Sequence, residues 1–209
     1  MVAYAWRADG SDADMLPEGA RDVAGTAHDI PSATTCRACH DGHPSRVLGM
    51  GAIQLSHRAV EGELDLDGLR ARGWLTHDPG RVEVPGTAAE VAALGYLHAK
   101  CAHCHNEIRP PARPLDRGLL PPPPPPPPGG SFPACFDPAT DFTLLLGSLG
   151  TVEETGTYRT AVGSIFRMGN PGGSRGVQNL ERGTMPPVGV EIPHAEGAAI
   201  LRDWLNGMR

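Results

Sequence analysis

Two five-residue stretches hold the densest reactive chemistry of the chain: Cys36-Arg37-Ala38-Cys39-His40 and Cys101-Ala102-His103-Cys104-His105. Four of the five cysteines fall inside them. At this chain's Cys and His frequencies, one C-x-x-C-H is expected by chance roughly 0.005 times. A second copy therefore asks for a chemical reason. Two thiols three residues apart stand about one helical turn apart, with an imidazole beside the second. Thiolates and imidazoles ligate soft and borderline metals, and paired thiols exchange disulfides or attach a cofactor.

Covalent haem attachment uses every residue of the pattern. Each thiol forms a thioether with one vinyl group of a haem, and the adjacent imidazole gives a nitrogen to the iron. On this reading Cys36 and Cys39 hold one haem c with His40 as its ligand. Cys101 and Cys104 hold a second, with His105 as its ligand. The sixth ligand at the first motif is left between two residues. Met50 sits between Gly49 and Gly51, which allow close approach, and His57 is the alternative. His43 is too near the motif to reach the opposite face.

The elements around the motifs come next. Thr87-Ala88-Ala89-Glu90 fits the T-x-x-E capping box. Val91, Leu94, Leu97 and His98 follow at helical spacing, predicting a helix over about 88–103 that runs into the second motif. A final helix is expected over about 195–208, with Ala198, Leu201, Trp204, Leu205 and Met208 as its apolar stripe. Leu66, Leu69, Arg70 and Trp74 suggest a short helix capped by Asp65 or Asp67. Val2, Tyr4 and Trp6 alternate as in a strand, ended by Asp9-Gly10-Ser11, with no partner upstream. Residues 142–146 are a short apolar run of undecided type. Residues 121–128 are all proline, a polyproline II rod of roughly 25 Å at ~3.1 Å per residue, read as a spacer in a tolerant loop. Cys135 and Met168 are expected to be buried packing residues.

The chain is thus expected to be mainly α with long loops. It reads as an N-terminal β-like remnant (1–35), a first C-x-x-C-H segment (36–86) and a C-terminal domain (87–209) with a Pro-rich insertion at 110–135. Residues 87–209 resemble a class I c-type cytochrome domain: a helix before C-x-x-C-H, a loop-rich middle, Met185-Pro186-Pro187, and a terminal helix. The resemblance implies a cytochrome c-like helical fold, with Cys101 and Cys104 on haem, His105 as proximal ligand and Met185 as distal ligand. The Pro-rich insertion departs from the family's minimal form. The stretches TTCRACH, VLGMGAIQLSH, LGYLHAKCAHCHN and MPPVG also resemble a group of uncharacterised bacterial proteins with two such motifs. In that group a longer β-rich region and a secretion signal precede the first motif. The YAWRADGSDADML stretch looks like the tail of that region, so a truncated start is expected.

Other chemistries compete. Zinc would use the same thiols and imidazoles, but the 61 residues between Cys39 and Cys101 exceed the usual ribbon spacing of about 15–20. Each motif would then need a fourth ligand, with His43, His103 or Cys135 in reach. Disulfide exchange needs its C-x-x-C at a helix start, whereas Cys101 falls near a helix end, where the dipole disfavours a thiolate. A peroxidase-like redox module remains open if the first iron keeps a free sixth position. No G-x-S-x-G, Walker-type or H-E-x-x-H pattern occurs.

Composition narrows the rest. The chain has 27 glycines and 22 prolines but only four Phe, three Tyr and three Trp, a poor recipe for a large side-chain core, so a porphyrin would supply missing apolar volume. A net charge of −6 argues against nucleic acid and suits docking to basic patches of redox partner proteins. No apolar run of about 18 residues predicts a membrane span. Haem c forms outside the cytoplasm, which predicts a periplasmic or otherwise extracytoplasmic protein. MVAYAWRADG shows no signal peptide, and truncation reconciles the two. The function expected is outer-sphere electron transfer by a dihaem carrier rather than an enzyme.

Overall fold

The computed structural model describes residues 1–40, 46–80, 82–106, 142–147, 149–186 and 192–208. The polyproline run, Cys135 and His43 lie outside the described residues.

The N-terminal strand finds its partner downstream. β1 (Ala3–Trp6) pairs antiparallel with β2 (Ala13–Leu16), Ala3 opposite Leu16 and Trp6 opposite Ala13. The turn between them is the one the sequence suggests. Asp9 Oδ1 accepts from the Ser11 N–H at 3.0 Å and from its hydroxyl at 2.7 Å, and Gly10 takes φ 70°. Tyr4 and Trp6 are exposed, so the alternating face does not enter a core.

Pro31 keeps a long helix from preceding the first motif, and the motif itself is helical instead. α1 (Ala33–His40) starts behind Ser32, whose hydroxyl oxygen accepts from the Thr35 N–H at 3.2 Å. α2 (Ala52–Leu55) and α3 (Leu66–Ala71) follow. Asp65 is the cap of α3, accepting from the Gly68 N–H at 2.7 Å. Leu55, Leu66 and Leu69 form a small buried cluster with Leu64 and Leu75. Trp74 does not join it. The helix ends at Ala71, and Trp74 lies exposed beneath the Arg72 guanidinium.

The main core gathers on α4 (Ala88–Lys100), α5 (Arg175–Glu181) and α6 (Ala195–Gly207). Ala93 and Leu97 of α4 meet Ala198, Leu201, Trp204 and Leu205 of α6, with Val177 and Leu180 from α5 and Leu144 and Phe166 from loops. The buried stripe of α6 is the expected one, and Met208 packs against it just past the helix end. On α4 the buried set is Ala93, Leu94 and Leu97, while Val91 is exposed. α4 also stops three residues short of 103. Cys101 leaves helical geometry at φ −122°, and the N–H groups of Cys101 and Ala102 both turn onto the Leu97 carbonyl. Met168 is exposed rather than packed: it lies outside any helix, between Phe166 and the turn that Gly169 makes at φ 63° before the 3-10 turn at Pro171–Gly173.

The run at 142–146 takes no regular secondary structure and pairs with no strand among the described residues. Thr143 donates its N–H to the Thr160 hydroxyl at 2.9 Å, and Leu146 donates to His98 Nδ1 at 3.5 Å. Thr160 belongs to a π turn, Thr157–Ala161. Helices account for about 39%, and the sheet among the described residues has two strands, in keeping with a mainly helical chain with long loops.

A hydrogen-bonded relay ties the start of α4 to the core. Thr87 and Glu90 form the full capping box, with Glu90 Oε2 accepting from the Thr87 N–H at 2.7 Å and its hydroxyl at 2.8 Å. Glu90 Oε1 accepts from the Tyr158 hydroxyl at 2.8 Å, and that hydroxyl accepts from Trp204 Nε1 at 3.2 Å. Burial pushes the Tyr158 phenol up to about 12, so it stays a donor. The bonds from Thr87, more than the one from Tyr158, hold the Glu90 carboxyl below its ordinary range. Stability from this group is therefore complete above the unfolded value of about 4.3 and is lost as pH falls through the lower folded value. Thr87→Ala should cost about 1 kcal/mol in urea unfolding at neutral pH. Glu90→Gln should flatten the loss of stability expected of the native chain on going to about pH 3 in urea unfolding.

Candidate functional site

The second motif lies between the end of α4 and the irregular run beyond it. The Cys104 and His105 N–H groups donate to the Cys101 carbonyl at 3.1 and 2.9 Å, closing a tight turn. Asn106 is buried and donates Nδ2 to the Ala102 carbonyl at 2.6 Å, which locks that turn from below. The His105 carbonyl accepts from the Leu144 N–H at 2.9 Å. Phe142, two residues earlier, stacks on the His105 ring with centroids 4.5 Å apart and planes 18° from parallel. The imidazole is thus oriented by an aromatic face delivered through its own backbone bond.

His105 opens onto a cavity of about 570 Å³ that Cys101 and Met185 also line. Most of the wall is apolar, with Leu97, Leu144, Phe166 and Leu201 coming from the main core. Its volume falls within the ~300–1,000 Å³ of cofactor sites. Met185 reaches the cavity from the segment after α5, where the Thr184 and Met185 N–H groups share the Asn179 carbonyl at 2.9 and 3.3 Å. Lys100 and Arg175 line the same cavity, as do Tyr96 and His194, stacked 5.6 Å apart and joined by a 3.1 Å hydrogen bond. Gly176 borders it too. A side chain there would collide with the Phe166 ring, which packs edge-on against Trp204, so only glycine lets α5 approach.

The residues present fit a haem at this site. An imidazole, a thioether and one thiol meet an apolar cavity that two cationic side chains also line. Cys104 is the exception. It does not line the cavity, and its sulfur lies instead with Cys39 and His103. The ligand atoms of Cys39, His103 and Cys104 all stand within 4.8 Å of one another. This meeting of the two motifs is absent from the sequence pattern, since 64 positions separate Cys39 from His103 and nothing local marks them as neighbours.

At the first motif, Cys36 and Cys39 lie half-buried on α1. His40 Nδ1 stands 2.7 Å from the Arg46 carbonyl. A carbonyl only accepts, so Nδ1 carries the proton and Nε2 is the nitrogen left for a metal, an arrangement typical of ligating histidines. Met50 is exposed. His57 is engaged by the Gln54 carbonyl at 2.9 Å and lies 3.8 Å from the Glu63 carboxylate. It lines a separate polar pocket with Asp65 and Arg70. Neither Met50 nor His57 lines the cavity at His105.

The thiols differ in their surroundings. Burial pushes the Cys101 thiol up to about 11, against a small opposing pull from Lys100. A hydrogen bond shared with Cys104 pushes the Cys39 thiol up, one with His103 pulls it down, and burial adds to the rise. A high thiol pKa means little thiolate, which disfavours the disulfide-exchange reading. In the haem-free, metal-free chain, iodoacetamide at about pH 8 should modify Cys101 at least tenfold more slowly than in the same chain unfolded in urea. Timed quenching and peptide mass mapping read the two rates.

Helix Ala88–Lys100 thus ends on a motif whose His105 shares an apolar cavity with Met185, and no family model, curated protein or solved structure matches the chain.

Proposed function

We propose that this chain is a haem c-binding electron-transfer protein of the class I cytochrome c type at its C-terminal end, with a second haem at the first motif. The observation that carries the reading is the convergence of Cys101, His105 and Met185 on one apolar cavity. Haem iron bound there would supply reversible one-electron oxidation and reduction.

The residues divide that work. His105 presents a ring nitrogen, held in orientation by the Phe142 face. Met185 presents a thioether sulfur, a neutral ligand whose pairing with histidine raises the potential relative to two histidines. The apolar side chains of Leu97, Leu144, Phe166 and Leu201 would limit water around a bound haem, which would disfavour the more charged oxidised state in the same direction. Lys100 and Arg175 would offer positive charge to the carboxylates of a bound porphyrin. Cys101 would hold the group from the end of α4, and Cys104 would have to turn from Cys39 towards the cavity to hold it as well. Cys36, Cys39 and His40 would hold the second haem, supported by the Nδ1 bond that frees His40 Nε2. With Met50 or His57 as a further ligand that haem would be a sealed carrier; with neither, it would be a peroxidase-like centre. No helix among the described residues is long and apolar enough to cross a membrane, so redox partner proteins would be met at the surface. An extracytoplasmic location follows from haem c chemistry.

Export of the chain behind a secretion signal, with haem c maturation, should yield a red protein with two haems per chain by pyridine haemochrome. An intact mass equal to bare polypeptide would defeat the reading. His105→Ala should lower the count to one. Met185→His should retain both haems and lower one midpoint potential by on the order of 0.1 V or more, within the ~0.8 V that axial ligands span.

A further inference from the structure

The cluster at Cys39, His103 and Cys104 has its own chemistry. Two thiols and an imidazole from distant segments hold their ligand atoms within 4.8 Å of one another, all half-buried. A tetrahedral zinc ion with Zn–S near ~2.3 Å and Zn–N near ~2.0 Å needs ligand edges of about 3.5–3.8 Å. No edge has to close by more than about 1 Å for the set to become a three-sided cradle. Cys101 does not belong to it, because its thiol lines the apolar cavity instead. Each motif contributes part of the donor set: Cys39 from α1, and His103 with Cys104 from the turn after α4.

We propose that, in the chain without haem, Cys39, His103 and Cys104 bind one thiophilic divalent cation, zinc foremost, and that this ion clamps the first motif onto the second. Binding releases two protons, one from each thiol, and the two thiolates neutralise the charge of the ion. Solvent fills the fourth position. Two sulfurs and one nitrogen suit zinc better than magnesium or calcium, which take oxygen ligands. The inference stands apart from the haem reading but bears on it. A sulfur cannot be a thioether to a porphyrin and a thiolate ligand at once, so the ion occupies Cys39 and Cys104 only while haem is unattached, and its departure must precede attachment at both motifs.

The test uses the full chain made without haem maturation, reduced, stripped of metal and titrated with Co²⁺ as the spectroscopic stand-in for zinc. One equivalent should produce thiolate-to-cobalt charge-transfer absorption and the visible bands of tetrahedral cobalt, both erased by Zn²⁺. Cys39→Ser and Cys104→Ser should each halve the charge-transfer intensity and weaken binding at least tenfold. His103→Ala should weaken it at least tenfold with the charge-transfer intensity kept. Cys36→Ser and Cys101→Ser should bind as the native chain does. Cys39→His, which keeps a ligand at that position, should retain one equivalent with half the charge-transfer intensity, and this guards against a serine variant that merely unfolds. Two equivalents, loss of binding in Cys36→Ser or Cys101→Ser, or no tetrahedral spectrum in the native chain would overturn the inference. Haem content of the exported protein is read separately, so either idea can fail without the other.

Discussion

The packing of α4 against α6 is the constraint on which the rest depends. Leu97 is both a core residue facing α6 and a wall of the cavity, and four residues later the chain reaches Cys101. Any rotation of α4 would move core and motif together. The large buried side chains of α6, Trp204 above all, hold that rotation. Each contributes about 1.5–3 kcal/mol of apolar burial, set against the entropy of ordering it. The relay from Trp204 through Tyr158 to Glu90 extends the same hold to the first turn of the helix. Both ends of α4 are therefore referenced to α6, the start through Trp204 and the end through the Tyr96–His194 contact.

Much of this frame was legible in the residues, and the reason is locality. The capping box, the stripe of α6 and the Asp65 cap all rest on neighbours three or four positions apart, where helical geometry leaves a direct imprint on sequence. Trp74, Val91 and Met168 misled because hydrophobic type alone does not fix which side of a short element meets the core. The 142–146 run was undecidable for a related reason: its hydrogen bonds go to side chains of Thr160 and His98, which no periodicity encodes. At the site, the motifs themselves were plain, and so was Met185 beside its prolines. The nearness of Cys39 to Cys104 was not, because it arises from how α1 settles against the turn after α4.

That turn gives the second motif two sides. Cys101 and His105 look into an apolar cavity, while His103 and Cys104 meet the first motif. The five residues are consecutive, and the backbone bonds onto the Cys101 carbonyl keep the turn compact. Chemistry on one side is consequently felt on the other through a very short piece of chain. A cofactor that draws Cys104 towards the cavity must also release Cys39, which couples the two motifs mechanically whatever each one carries.

The backbone bond between His105 and Leu144 has a separate consequence. The chain departs from the motif just after Asn106 and is back beside it by Phe142, with Thr143 fastened to Thr160. Both stems of the excursion are anchored to the scaffold at one spot. The imidazole and its aromatic partner are therefore kept in register by bonds at the two stems themselves. A change at Thr160, 55 positions along the chain from His105, would thus reach the histidine ring through Thr143 and Phe142.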